Sequence, residues 1–169
     1  MAPALGERPR RADQCQGRKS GARPILPRHL AARAIIAINN WFEWVDEGGP
    51  KKQPYLIRRR DRSPILCAAI GQYPNHEHEP SEHDGFVIIT ADSAGGMVDI
   101  HDRRPVTLSP ELAREWLDPA TPKERAEQMV MHQGEPTEAF EWFKVDRAIG
   151  NVRNQGPELI RPLEGNDLL

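Results

Sequence analysis

Gly85–Leu108 reads GFVIITADSAGGMVDIHDRRPVTL, and the interpretation of the chain turns on it. Phe86–Thr90 is an apolar run of strand length and is expected to be a buried strand. A Gly-rich loop follows, then His101 among Asp99, Asp102, Arg103 and Arg104, then a second short strand. Ionisable side chains on a loop held by strands are where a rigid scaffold commonly carries chemistry. Histidine is also the side chain that titrates near neutrality. The competing reading is that His101 caps a turn while the arginines form a solvated face, and these residues alone leave both open.

C-terminal to this unit, Ser109–Leu117 has the marks of a helix. Ser109 stands at the N-cap, Pro110 at the first helical position and Glu111 in the first turn. A second helix is expected from the capping box Thr121-Pro-Lys-Glu124 to about His132. Ala139–Asp146 reads as a strand, and Arg147–Leu163 as an irregular polar strap on the surface. On the N-terminal side, Arg33–Ile38 is a strand. Gln53–Arg60 and Ile65–Ile70 are two more, expected to form a hairpin across Asp61–Pro64. Between them lies Asn39–Trp44, NNWFEW, which sets Glu43 among Trp41, Phe42 and Trp44. A carboxyl surrounded by rings is desolvated and gains proton affinity. If the aromatics instead face the core, Glu43 points to solvent. Several strands and two short helices, without strand–helix alternation, indicate a β-rich α+β domain.

The chain of 169 residues suits one domain, and 38% apolar with 28% charged residues is a globular composition. No run is long enough for a membrane span, and no apolar segment follows the charged N-terminus as in a secretory signal. Cys15 and Cys67 make no disulfide framework, which points to a reducing cytoplasm. Cys67, amid a strand, reads as a small buried hydrophobe. The net charge of −2 divides into +6 over residues 1–34 and −8 over the remainder. Residues 1–22 are expected to be a disordered basic arm preceding a domain over 23–165, although a basic arm can also track phosphates. His76, His78 and His83 occupy a Pro-containing acidic loop. An HxH pair can hold a metal, but a solvated loop is expected, with neither metal nor cofactor. Nucleotide-binding glycine motifs and paired CxxC motifs are absent.

NNWFEW, KKQPYLI, ILCAAIG, GFVIITADS, VDIHDRRPVTLSPELAREWL and VDRAIGNVRNQGPELIRP, in that order, resemble the SOS response-associated peptidase (SRAP) family of abasic-site-processing proteins. The resemblance covers about Ala31–Leu163. It implies a mixed β-sheet or barrel with a few short helices. It further implies a DNA-damage response protein, a monomer, that binds single-stranded DNA carrying an abasic site. In intact members a cysteine after the initiator Met condenses through its amine and thiol with the lesion aldehyde, giving a thiazolidine crosslink. By resemblance Glu43 and His101 are the proton-transfer residues, and Thr90 contacts the lesion region. Trp41, Trp44, Arg103 and Arg104 would serve the DNA by stacking and phosphate contact.

The pattern departs at the start, where Met1-Ala2-Pro3-Ala4 replaces Met-Cys-Gly-Arg. The first third of the family fold, with the nucleophile and a positioning asparagine, has no counterpart here. The expectation is an N-terminally truncated or divergent member, deficient in the crosslink and impaired or inactive as a peptidase or lyase. The alternatives are an inactive fragment that keeps only non-covalent single-stranded DNA binding, and a small binding module independent of DNA.

Overall fold

The computed structural model describes residues 32–72, 79–82 and 84–163. The basic arm with Cys15, and His76, His78 and His83, lie outside the described residues. Among the described residues the strands are β1 (Arg33–Ile38), β2 (Trp41–Val45), β3 (Gln53–Arg59), β4 (Ile65–Gln72), β5 (Gly85–Ile88), β6 (Thr90–Asp92), β7 (Arg103–Pro105), β8 (Thr107–Leu108) and β9 (Phe140–Lys144). Helix α1 is Pro110–Leu117 and helix α2 is Lys123–His132.

The strands form two packed sheets and a short ribbon. In the first sheet β4 is central, with β1 on one side and β5 and β8 on the other; in the second the order is β2-β3-β9; β6 and β7 pair with each other. All pairings are antiparallel. Alternation along β4 divides its side chains between two layers. Ile65 and Cys67 face the second sheet, meeting Tyr55, Ile57, Phe140 and Trp142. Ala68 and Ile70 face the helices, meeting Trp116, Ala126 and Met129. A third, smaller cluster of Leu56, Phe143 and Val145 covers the outer face of the second sheet. The result is a β-rich α+β fold in layers, with the helices confined to one side.

Local chemistry accounts for the joints. Ser109 Oγ accepts from the Leu112 amide at 3.3 Å and starts α1. The other end of α1 is closed by Arg33 of β1, which donates to the Trp116 and Asp118 carbonyls. The Trp116 indole donates back to Ala34 O at 2.9 Å, so β1 and α1 are tied twice. Buried Gln53 is satisfied by the Val145 and Pro54 carbonyls at 2.8 and 3.0 Å.

Four expectations change. The segments 53–60 and 65–70 do not pair with each other, because both edges of each are taken: β3 by β2 and β9, β4 by β1, β5 and β8. The link between them crosses from one sheet to the other, with Arg62 at φ 65°. The strand read as buried, Phe86–Thr90, is an edge that ends at Ile88, and Phe86 and Val87 are 52% and 62% exposed. An apolar run shows strand tendency but not how many of its faces are covered. Thr121 is not the cap of α2: Pro122 precedes the helix, and the Thr121 hydroxyl donates instead to Glu115 O at 2.6 Å. Finally, Phe42 and Trp44 do not surround Glu43, for a reason the site makes plain.

Candidate active site

Strand β2 sets its side chains alternately on two faces. Trp41 and Val45 pack on the inter-sheet cluster, so Glu43 between them shares that face. Phe42 joins the outer cluster and lies 6.3 Å from the Trp44 ring, on the reverse face. Trp41 is held edge-on to Phe140 at 5.5 Å. One ring therefore shares Glu43's face, together with the body of the sandwich. Burial pushes the Glu43 carboxyl above its ordinary value, His101 opposes that shift and Asp102 adds to it. His101 and Asp102 thus lie within electrostatic range of Glu43.

His101 arrives there because the Gly-rich segment is a 3-10 turn, Gly95–Asp99, and not an open loop. Gly95 has φ 58°, a conformation that favours glycine, and a Cβ on Gly96 would stand 3.3 Å from the Trp142 ring. Met97 and Ile100 are buried and anchor the turn in the inter-sheet cluster. His101 follows directly, outside that anchor. Its Nδ1 lies 3.0 Å from both the amide and the carbonyl of Arg103 and 3.1 Å from Asp102 Oδ1.

The two arginines part company. On β7, Arg103 and Arg104 point to opposite faces of the ribbon. Arg103 donates to Thr90 Oγ1 at 2.9 and 3.1 Å and to Thr90 O at 2.7 Å, and it reaches Asp92 Oδ1 at 3.3 Å. It is exposed, and its main chain contacts His101, so Thr90, Arg103 and His101 form one continuous outer group. Arg104 turns inward, donating to Glu135 O at 2.6 Å with its guanidinium 5.9 Å from the Phe140 ring centre. Burial pulls its pKa down.

Of the residues singled out from the sequence, the structure brings together Trp41, Glu43 and His101, with Thr90 and Arg103 joined to His101. It sets Trp44 and Arg104 on other faces. Asp92 and Asp102, which hold Arg103 and His101, were not separated from the surrounding charge by sequence. The signal available was the paired spacing of β6 and β7, Asp92 opposite Arg103. Cys67 is fully buried, and burial pushes its thiol up to about 11, so it is a poor nucleophile. Among the described residues no group of three His, Cys, Asp or Glu is placed to hold a metal, and no helix is long and apolar enough to cross a membrane.

The two-sheet sandwich thus brings a half-buried carboxyl within electrostatic range of an exposed imidazole, beside an exposed threonine–arginine clamp. The chain belongs to the SOS response-associated peptidase (SRAP) family, whose model matches residues 22–152. It is 46% identical over 142 residues to the abasic site processing protein YedK of Escherichia coli, an alignment covering 84% of this chain and 63% of that protein. An abasic site processing protein of Saccharomyces cerevisiae is 29% identical over 139 residues, 80% of this chain and 36% of its own length. The crystal structure of a phage-related protein from Bordetella bronchiseptica superposes with a TM-score of 0.59 at 43% identity, covering 70% of this chain and 56% of that one. The chain thus spans less than two thirds of the length of these relatives.

Proposed function

We propose that this chain takes part in processing abasic sites in DNA, holding the lesion non-covalently in single-stranded DNA. The observation that carries this reading is the pairing of a half-buried Glu43 of raised pKa with His101 at one rim. A carboxyl that keeps its proton can give it to a sugar oxygen, and an imidazole can take one near neutrality. Arg103, exposed and fixed on Thr90, is suited to a phosphate beside the lesion. Trp41 stands on the face of Glu43 and is suited to contact an unstacked base or the bare sugar. Names of relatives that process abasic sites support the substrate class.

The crosslink is not part of the proposal for this sequence. Cys67, the cysteine among the described residues, is fully buried with its thiol pushed up to about 11, which makes it a poor crosslinking nucleophile.

The test is fluorescence anisotropy of a labelled single-stranded oligonucleotide with and without one abasic site, paired with a denaturing gel. The expected result is preferential binding of the abasic strand, weakening steeply with salt, and no heat-stable shifted band. Equal affinity for intact and abasic strands would remove the lesion from the reading, and a covalent band would overturn its non-covalent part.

A further inference from the structure

His101 Nδ1 is within hydrogen-bonding distance of three groups that demand opposite things of it. The Arg103 amide, 3.0 Å away, needs a lone pair on Nδ1. The Arg103 carbonyl at 3.0 Å and Asp102 Oδ1 at 3.1 Å need a proton there. Nδ1 therefore has a partner in the neutral ring and in the imidazolium alike, and the ring need not turn as it gains or loses a proton. Within the described residues Nε2 makes no hydrogen bond, and the side chain is half exposed. Two of the three partners are main chain, which leaves Asp102 as the one side chain in the arrangement.

We propose that Asp102 is a positioning residue: with the Arg103 carbonyl it holds the proton of the neutral ring on Nδ1 and leaves the Nε2 lone pair as the working site. This rests on the reading of Glu43 and His101 as the proton-transfer pair. The charged groups around the ring are few. Glu43 faces it from β2, Asp102 adjoins it, and the Arg103 guanidinium is occupied by Thr90 and Asp92. Asp102 is 86% exposed, so its pull is screened by solvent. Its effect belongs in the titration of the site and not in the stability of the fold. Its negative charge also opposes ionisation of Glu43.

The experiment is a pH titration of the full chain by NMR, reading the imidazole nitrogens of His101, with assignment by loss of the signal in His101→Gln. The expected neutral ring carries its proton on Nδ1, toward Asp102 and the Arg103 carbonyl, with the lone pair on Nε2. Asp102→Asn should shift the neutral ring toward the tautomer protonated on Nε2, whose Nδ1 lone pair accepts from the Arg103 amide, and should lower the Glu43 midpoint. Glu124→Gln, which removes an exposed charge on α2, should move neither. A neutral ring protonated on Nε2 in the unsubstituted protein overturns the proposal. So does a tautomer population in Asp102→Asn equal to that in Glu124→Gln. The titration contains no DNA, so its outcome is separable from the parent reading. If Asp102→Asn behaves as expected while His101→Ala handles abasic strands like the parent protein, the positioning stands and the proton-transfer role falls.

Discussion

The outer and inner faces of the β6–β7 ribbon carry the same residue type at consecutive positions and put it to different use. On the outer face Arg103 reaches across to Thr90 and Asp92, stays in solvent and touches His101 through its main chain. On the inner face Arg104 lies over Phe140 and is fixed by the Glu135 carbonyl. The residue type and its place in the sequence are shared; the period-two alternation of a strand decides which arginine lies in solvent and which holds the fold. Strand β2 repeats the lesson, with Trp41 and Glu43 toward the site and Phe42 and Trp44 away from it.

The largest way to test this contrast is on the inner face. Phe140 is fully buried, with Arg104 on one side and Trp41 edge-on to it. Phe140→Ala should cost about 3–5 kcal/mol in urea denaturation; a loss under about 1 kcal/mol would mean that the inner face is not packed as described. Next, Arg104→Met removes a charge-assisted hydrogen bond to the Glu135 carbonyl and should cost about 2 kcal/mol. Arg103→Met should cost less than about 1 kcal/mol, since its partners are exposed. It should instead reduce the salt slope of DNA binding by about 1. Comparable stability losses for the two arginines would erase the distinction.

The smallest effect concerns Glu43. Its carboxyl is raised above the ordinary 4.5, so the folded chain binds that proton more tightly than the unfolded one. The stability that this gives is complete below the ordinary value and is lost as pH rises through the raised folded value. Glu43→Gln should therefore bring a small gain in melting temperature at neutral pH that disappears in acid. A gain that grows toward acid would reverse the sign of the argument.

Much of the framework was legible in the sequence. Arg33–Ile38 and Ile65–Ile70 show as apolar runs, the strand through Phe140 shows by alternation, and Ser109-Pro110 marks a helix start through chemistry local to four residues. What failed depended on partners far along the chain. Nothing in Gln53–Arg60 says that its edges go to β2 and β9 and not to the next strand. Nothing in Phe86–Val87 says that one edge of the sheet stops there. The same holds for the site. His101 and Glu43 were found from residue type and resemblance, whereas the turn that presents His101 depends on Gly96 lying against Trp142, well along the chain.

The comparison is tested most directly by measuring the affinity of the unsubstituted protein, Arg103→Met and Arg104→Met for single-stranded DNA with one abasic site, at a temperature where all three are folded. Loss of the outer arginine should weaken binding roughly fivefold or more, and loss of the inner one should leave it within about twofold. Equal losses, or a loss confined to Arg104→Met, would contradict the assignment of the outer face to the DNA.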